Sequence, residues 1–378
     1  MKIILTVDSV KPPLTGIGRY TWELATRLGQ LPGIEDLRLF DRGRWVAQPE
    51  DLLARGGGFV VPLGTFTSRA LRAAYRMVAP AWQAWVLRAE SEALFHSTNF
   101  YLPAYPGRTV VTVHDLSILK FPEFHPPERV THLKDVIPKV IKRANHLITD
   151  SEFTRKELLE TFQLPESRVT AIELGVQNEF KPRTTDETRE ALTRLGVPHG
   201  QYLLCVATME PRKNILGLLE AYRKLDRDLQ HRYPLVLAGH KGWNSKQIHG
   251  TLAMAVEEGW VQYLGYVSDS DLPHLFSGAA AFVFPSWYEG YGLPVLQAMA
   301  SGVPCVVSNA SSLPEVCEGS AKLFDPADQG ALTQSLEVAL NDTSWRAHSA
   351  RRGRELAAKR TWERCAEATA NVYCQVCP

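Results

Sequence analysis

The chain has 378 residues, of which 45% are hydrophobic and 22% are charged, and its formal net charge is +1. Two domains with separate cores fit this length, and the near-neutral charge gives no reason to expect a nucleic-acid partner. No apolar run reaches the roughly 20 residues that a membrane-spanning helix needs, so we expect a cytoplasmic protein.

The first half of the chain alternates strand-like and helix-like patterns, which predicts an α/β domain. Strands are expected at Lys2–Val7, Ala93–Ser97, Thr109–His114, His146–Thr149 and Val169–Glu173, and helices at Tyr20–Leu28 and Val130–Ala144. Ser151 and Thr154 offer hydroxyl groups that would cap a further helix. The six cysteines are scattered, and Cys374 and Cys377 have no second pair, so the sequence predicts reduced thiols and no metal site.

Residues 14–20, Leu-Thr-Gly-Ile-Gly-Arg-Tyr, predict a glycine turn that leads into the first helix. Gly16 and Gly18 are placed as in a Rossmann phosphate loop, although the third glycine and the acidic residue of that motif are missing. Arg19 follows directly. It either faces a ligand or is an ordinary solvated arginine, and the sequence leaves both alternatives open.

Residues 52–89 contain no acidic side chain, while aromatic residues that include Trp82 and Trp85 are interleaved with arginines. The arginines are Arg55, Arg69, Arg72, Arg76 and Arg88. Such a stretch suits the surface of an anionic membrane, but it also suits a helix packed on its own domain with arginines in solvent. The absence of acidic residues favours the membrane.

The second half repeats the α/β pattern after residues 178–198, a polar stretch with two prolines that predicts a linker. A strand at Tyr202–Ala207 runs into Arg212-Lys213-Asn214 and then a helix at Ile215–Tyr222. Two adjacent cations at a helix N-terminus oppose the helix dipole, so we expect an anion beside them, which a diphosphate would supply.

The stretch Phe282–Pro304 is the most informative part of the chain. A strand at Ala280–Phe284 is followed by a loop that contains Glu289 and then by a helix, for which Pro294 suits the first turn. Glu289 therefore stands at the carboxyl end of a strand and faces a helix N-terminus. Open α/β sheets bind ligands at this position, and backbone N–H groups there favour a phosphate.

The run Phe-Pro-Ser-Trp-Tyr-Glu-Gly-Tyr-Gly-Leu-Pro resembles the signature of the family-four retaining glycosyltransferases, in which two glutamates are separated by seven residues. The first glutamate falls on Glu289, and the second position is Gln297. In that family the first contacts the donor sugar and the second the nucleotide ribose. An amide offers one acceptor and one donor group, so Gln297 could still hold a ribose.

The resemblance implies an α/β GT-B fold, with two Rossmann-like doubly wound domains at residues 1–180 and 181–360 facing across a cleft. Residues 361–378 would form a helix returning towards the first domain. The implied catalytic residues are Glu289, His114, Arg212 and Lys213. The implied donor-binding residues are Gly16, Gly18, Arg212, Lys213, Glu289, Gly290, Tyr291, Gly292, Leu293 and Gln297, and the acceptor side carries Arg19, Tyr20 and Asp115. A lone histidine is more often structural, but the resemblance favours a catalytic His114.

The implied reaction is transfer of a hexose from a nucleotide diphosphate sugar to an acceptor hydroxyl with retention, without metal or cofactor. The runs at residues 13–20 and 112–115 resemble bacterial mannosyl- and rhamnosyltransferases of O-antigen synthesis, which implies GDP-mannose or GDP-rhamnose as donor. The acceptor would be a lipid-linked oligosaccharide, and the enzyme would be peripheral on the inner leaflet of the cytoplasmic membrane. The alternatives are a UDP-sugar donor, a phosphorylase-like enzyme with pyridoxal phosphate, an inverting transferase or epimerase, and a degenerate nucleotide-sugar-binding protein.

Overall fold

The computed structural model describes residues 1–54 and 79–377, and the chain divides into two compact α/β units. Unit 1 comprises Met1–Leu116, His132–Leu174 and Trp362–Pro378, whereas unit 2 comprises Ser117–Thr131 and Gly175–Thr361.

The strands of the described residues form two sheets. They are β1 (Lys2–Thr6), β2 (Asp36–Asp41), β3 (Arg44–Val46), β4 (Leu94–Ser97), β5 (Thr109–Val113), β6 (His146–Thr149), β7 (Val169–Ala171), β8 (Leu203–Val206), β9 (Leu235–Ala238), β10 (Val261–Gly265), β11 (Ala281–Phe284), β12 (Cys305–Ser308) and β13 (Lys322–Phe324). The sheet of unit 1 has the order β3-β2-β1-β4-β5-β6-β7, and that of unit 2 has the order β10-β9-β8-β11-β12-β13. All neighbours are parallel except β3, which runs antiparallel to β2.

Helices connect the parallel strands. They are α1 (Gly16–Arg27), α2 (Glu50–Ala54), α3 (described at 79–87), α4 (Ser117–Lys120), α5 (Pro127–Arg143), α6 (Glu152–Phe162), α7 (Thr185–Leu195), α8 (Ile215–Arg223), α9 (Arg227–Arg232), α10 (Lys246–Glu257), α11 (Leu272–Ser277), α12 (Leu293–Ala300), α13 (Leu313–Cys317), α14 (Gln329–Asn341), α15 (Thr343–Ala357) and α16 (Trp362–Val376). Within the described ranges, none of these helices is both long and apolar enough to cross a membrane.

The central strands are apolar because helices cover both faces of each sheet. Every residue of β5 and of β11 is buried, as the continuous apolar runs predict. Ser151 caps α6 as expected, since its hydroxyl accepts the N–H of Thr154 at 3.1 Å. The predicted strands and helices of both halves are therefore confirmed, with ends that move by one to a few residues.

The glycine turn predicted at residues 14–20 is wrong. α1 already begins at Gly16, and Thr15 is its N-cap, with its hydroxyl facing the N–H of Gly18 at 3.4 Å. A Cβ on Gly18 would lie 2.8 Å from the carbonyl oxygen of Ser9, so this glycine lets the helix pack closely against the loop after β1. Both glycines thus belong to the first helical turn rather than to a phosphate loop.

The linker predicted at residues 178–198 is also wrong, because it contains α7. Thr184 and Glu187 form a reciprocal capping box at the start of this helix, and Gly196 ends it with φ of 68°. The prolines at either side mark the ends of the helix rather than an unstructured connection.

The segment Ser117–Thr131 corrects the predicted domain boundaries, because it precedes residue 180 but belongs to unit 2. The Phe121 ring lies 5.3 Å from the ring of Tyr288, and the indole N–H of Trp243 donates to the carbonyl oxygen of Phe124 at 2.8 Å. These aromatic contacts explain why the segment packs with the second half of the chain.

Candidate active site

Arg212 and Lys213 lie in a short 3₁₀ turn, Pro211–Lys213, between β8 and α8. The next residue, Asn214, has φ of 53°, a left-handed conformation that asparagine adopts more readily than most residues. Its side-chain amide donates to the carbonyl oxygen of Pro326 at 3.2 Å, which fixes the turn. The turn places both cations at the carboxyl end of β8, where such sheets bind ligands.

Glu289 lies in the loop 285–292, which leaves β11 and enters α12. Because β11 pairs with β8, this loop and the Arg212–Lys213 turn leave the same edge of the sheet. The loop ends at Gly292, whose φ is 117°, and a Cβ there would lie 2.7 Å from Leu313 Cδ2. The positive φ favours glycine, and Pro294 occupies the first turn of α12 as expected.

The carboxylate of Glu289 pairs with both cations. Lys213 Nζ donates to Glu289 Oε1 at 2.5 Å, and Arg212 Nη1 donates to Glu289 Oε2 at 3.0 Å. The Glu289 side chain is 9% exposed, and burial by itself would raise its pKa. The charges of Arg212 and Lys213 outweigh burial and lower the pKa of this carboxyl to about 2, so Glu289 is ionised at every physiological pH.

Glu210 is a member of this cluster that the sequence analysis missed. It is 2% exposed, and its Oε1 accepts from Arg212 Nε at 3.1 Å and from Arg212 Nη2 at 2.9 Å. Glu210 precedes Arg212 by two residues, so an acid beside the adjacent cations was the signal that could have identified it.

The sequence predicted that a diphosphate would supply the anion beside the adjacent cations, whereas the structure shows carboxylates of the protein there. Two carboxylates, those of Glu210 and Glu289, pair with Arg212 and Lys213 in the described residues, so the four side chains carry no net formal charge. A donor diphosphate entering here would have to exchange with at least one of these ion pairs.

Hydroxyl groups from the turn after β12 hold the Glu289 loop through its backbone. Ser311 Oγ accepts the N–H of Glu289 at 2.8 Å, and Ser312 Oγ contacts the carbonyl oxygens of Glu289 at 3.0 Å and Tyr291 at 2.8 Å. Ser308 Oγ donates to the carbonyl oxygen of Ser286 at 2.6 Å. These serines were not predicted, since they lie about 20 residues downstream, at the end of β12 and in the turn that follows it.

The comparisons with known proteins fit this arrangement. The family described as "Glycosyltransferase Family 4" matches residues 14–180, and the family described as "Glycosyl transferases group 1" matches residues 194–356. O-antigen chain mannosyltransferase B of Escherichia coli is 40% identical over 381 residues, which cover 99% of this chain and 99% of that protein. The chain belongs to glycosyltransferase family 4.

The further matches include the following two proteins. The serotype-specific mannosyltransferase WbdA of Escherichia coli is 32% identical over 250 residues, which cover 64% of this glycosyltransferase and 30% of WbdA. HepE of Anabaena, solved with UDP and glucose, superposes with a TM-score of 0.73 at 18% identity and covers 99% of both chains. The likeness to HepE shows the fold and confirms the predicted GT-B class of two Rossmann-like α/β domains.

Unit 1 of the glycosyltransferase carries His114 at the carboxyl end of β5. His114 Nδ1 lies 2.7 Å from Asp150 Oδ2, and Nε2 lies 2.8 Å from the carbonyl oxygen of Thr98. Burial would lower the pKa of His114, but the Asp150 carboxylate and these hydrogen bonds raise it above its usual 6.5. Because a carbonyl and a carboxylate both accept, these two partners favour the imidazolium form of His114, which can donate from both nitrogens.

This arrangement bears on the predicted catalytic role of His114. Both of its ring nitrogens have protein partners, so neither is available to a sugar hydroxyl without a change of side-chain conformation. Asp150, which follows β6, was not singled out by the sequence. The pairing of Val113 with Thr149 brings the two residues side by side, because they come next on neighbouring parallel strands.

The predicted acceptor-side residues do not share one environment. Tyr20 is 1% exposed, and its hydroxyl bonds to Thr112 Oγ1 at 2.8 Å, so its side chain is in the core. This corrects the prediction that Tyr20 meets an acceptor, and the reason is that α1 turns its apolar face to the sheet. Arg19 lies 4.0 Å from Glu23, and Asp115 is partly exposed after His114.

The remaining predicted donor-binding residues fall into two groups, one around the start of α12 in unit 2 and the other in α1 of unit 1. Tyr291 is 4% exposed, and the Glu289–Gly292 backbone is buried. Leu293 and Gln297 are both partly exposed and lie one turn apart on the same face of α12. Gly16 is exposed and Gly18 is buried, both in the first turn of α1 in unit 1.

Proposed function

We propose that this glycosyltransferase moves a mannosyl residue from GDP-mannose to a lipid-linked saccharide in bacterial O-antigen synthesis, with retention at the anomeric carbon. The observation that carries the proposal is the 40% identity to O-antigen chain mannosyltransferase B over 99% of both chains. The buried Glu289–Arg212–Lys213 cluster supports the proposal, since the Glu289 carboxylate, which would contact the sugar, lies beside cations suited to a diphosphate.

In the proposed reaction, negative charge grows on the departing diphosphate while the sugar becomes oxocarbenium-like. Lys213 and the N–H groups at the start of α12 would stabilise that charge, which is the usual electrostatic help in such a transfer. A phosphate oxygen of the leaving group would accept the acceptor proton on the same face of the sugar. Glu289 would orient sugar hydroxyls through its carboxylate rather than form a bond to the sugar.

Gln297 would contact the ribose, and the loop backbone from Gly290 to Leu293 would line the donor. These roles depend on the family resemblance and on the position of the residues at the carboxyl edge of the unit 2 sheet. Fixed cations replace a divalent metal in this proposal, so transfer is expected to continue in the presence of EDTA.

The decisive experiment is a donor panel with purified protein. GDP-mannose, GDP-rhamnose, UDP-glucose and UDP-N-acetylglucosamine are each incubated with a synthetic lipid-linked saccharide, and product is followed by mass. We expect product from GDP-mannose, with the axial anomeric configuration of the donor preserved in its NMR spectrum. Product only from a UDP-sugar would overturn the donor assignment, and an inverted anomeric centre would overturn the mechanism.

We also propose that the enzyme binds the cytoplasmic face of the membrane, where a lipid-linked acceptor would present its sugar. Of the predicted stretch 52–89, residues 55–78 lie outside the described part of the structure. In the described part, the indoles of Trp82 and Trp85 are 51% and 53% exposed and stack at 5.1 Å, with Arg88 placed 5.2 Å from the Trp85 ring. Exposed tryptophans beside arginine suit an anionic headgroup layer.

A further inference from the structure

Arg212 and Lys213 differ in how tightly the protein holds them. The Arg212 guanidinium donates on one side to Glu210, through Nε and Nη2. On the other side its Nη1 donates to Glu289 and to the carbonyl oxygen of Tyr288 at 2.7 Å. A planar guanidinium has five N–H groups in a fixed fork, so these contacts fix its position and its orientation.

Arg212 also anchors the Glu289 loop through its backbone. Its carbonyl oxygen accepts the N–H of Trp287 at 2.9 Å. The same loop is held from its other side by the hydroxyls of Ser311 and Ser312. The loop that carries Glu289 is thus fixed between Arg212 and the two serines, and its carboxylate points at the cations.

Glu210 holds the Arg212 guanidinium in the position from which it anchors the Glu289 loop. Its side chain is buried, and among the described residues its Oε2 has no hydrogen-bond partner, so its charge is balanced chiefly by Arg212. Moving Arg212 towards a ligand would leave a buried carboxylate unpaired, which is strongly unfavourable. The Glu210–Arg212 pair is therefore expected to stay intact when a donor binds.

Lys213 has no comparable anchor. Among the described residues its ammonium pairs with Glu289, and it lies 5.3 Å from the centre of the Phe284 ring. A flexible four-carbon stem with a compact charge can leave one carboxylate and meet another anion nearby.

We propose that Arg212 is a positioning residue that acts through Glu289, and that Lys213 is the side chain that exchanges Glu289 for the donor diphosphate. This division of roles rests on the proposed function, because it assigns residues within that donor site. Glu210 is the second positioning residue, since it holds Arg212. Donor binding then releases one carboxylate oxygen of Glu289 from Lys213 towards the sugar, while Arg212 keeps the other in place.

The test separates charge from geometry by two substitutions. Arg212→Lys keeps the positive charge but loses the planar fork, and Lys213→Met removes the charge but keeps the stem. Nucleoside diphosphate affinity is measured by calorimetry with GDP, and kcat is measured with GDP-mannose. We expect Arg212→Lys to keep the GDP Kd within about threefold while kcat falls at least about thirtyfold. Lys213→Met should raise the GDP Kd at least about tenfold.

Two substitutions of Glu210 provide a second test, in which kcat and GDP affinity are compared. A merely structural role would not change kcat while leaving GDP affinity intact. Glu210→Gln retains an oxygen that can accept from Arg212, so it should keep more kcat than Glu210→Ala, while both keep GDP affinity. Arg194→Lys is the matched control, because Arg194 is an arginine of unit 2 paired with Glu190 and Asp271 on the surface. It should change neither quantity.

Equal weakening of GDP binding by Arg212→Lys and Lys213→Met would overturn the proposal, because both cations would then contact the diphosphate. Unchanged kcat in Arg212→Lys would overturn it as well. Should the unaltered enzyme form no product from any nucleotide sugar of the donor panel, the proposed function itself would fail, which is a different result. Thermal unfolding of each variant shows whether it is folded, and if Glu210→Ala is not, Arg212→Lys and Lys213→Met still decide the proposal.

Discussion

The Lys213 ammonium lies 2.5 Å from Glu289 Oε1, so the residue expected to bind a diphosphate is already occupied by the carboxylate expected to bind the sugar. The two are neighbours because β8 and β11 pair in parallel and release their loops at one edge. An anionic ligand must compete with a built-in anion at this position. Binding of an anion to Lys213 is therefore coupled to release of the Glu289 carboxylate from Lys213.

Glu289→Gln should tighten the binding of GDP while abolishing sugar transfer. The substitution keeps the shape of the side chain but removes the negative charge that competes for Lys213. We expect GDP to bind at least about fivefold more tightly, which corresponds to about 1 kcal/mol. Calorimetry checks this, with Glu190→Gln as a control because Glu190 is an exposed acid of the same unit. Weaker GDP binding in Glu289→Gln would show that this carboxylate helps to hold the nucleotide.

Gln297→Glu should leave transfer unchanged or improve it, since a carboxylate can accept both ribose hydroxyls. The residue is partly exposed on α12, one turn after Leu293, so an added charge does not have to be buried. The measurement is kcat/KM for the donor, with the deoxyribose analogue of the donor as the comparison. Complete loss of activity would mean that the amide of Gln297 makes a specific contact.

Asp150→Asn should destabilise the protein more at pH 6 than at pH 9. The His114 pKa is raised in the folded state, so its ion pair with the ionised Asp150 carboxylate contributes stability in full just below about pH 6.5. This contribution is lost as pH rises through the folded pKa of His114, and also at acidic pH, where burial raises the pKa of Asp150 and favours its protonation. We expect a cost of about 3 kcal/mol at pH 6, as for breaking a buried pair, and a smaller cost at pH 9.

Thermal unfolding at the two pH values measures this difference. The control is Asp135→Asn, because Asp135 is an exposed acid of α5 paired with Lys139 in the same unit. A cost from Asp150→Asn that does not depend on pH would show that His114 is neutral in the folded protein.

Replacing Trp82 and Trp85 together by alanine should weaken binding to anionic vesicles at least about threefold. Both indoles are exposed, so their loss should not disturb the core. Co-sedimentation with vesicles of phosphatidylglycerol and phosphatidylethanolamine at low and high salt provides the measurement. Met254→Ala is the control, since Met254 is 58% exposed on α10 of unit 2. Equal sedimentation of the double variant and the unaltered enzyme would exclude this tryptophan pair as a membrane contact.

Local patterns in the sequence were sufficient to predict the central strands of both sheets, several helices and the candidate site residues, but not β2, β3 or α2. Glu289, Arg212 and Lys213 follow apolar runs directly, and the carboxyl ends of parallel strands meet at one edge, so their proximity could be inferred. The aromatic residues and glycines of residues 285–292 indicated a loop between a strand and a helix. These predictions needed no knowledge of how the helices pack.

The partners of those residues could not be predicted in the same way. Ser311 and Ser312 contact Glu289 from the turn after β12, and Asp150 contacts His114 only through the register of β5 and β6. The burial of Tyr20 depends on which face α1 turns to the sheet. The two prolines at residues 182 and 198 gave a wrong prediction of a linker, because the capping box of Thr184 and Glu187 starts α7 between them.

The division of the chain has a practical consequence. The backbone passes between the two units at four places, after Leu116, Thr131, Leu174 and Thr361. A single proteolytic cut at any one of these places would therefore leave unit 1 and unit 2 joined through the other three covalent connections. A fragment that starts at Gly175 would also lack Phe121, which packs against Tyr288 next to Glu289. Exchanging the second half of this enzyme with that of a relative would have to transplant residues 117–131 as well.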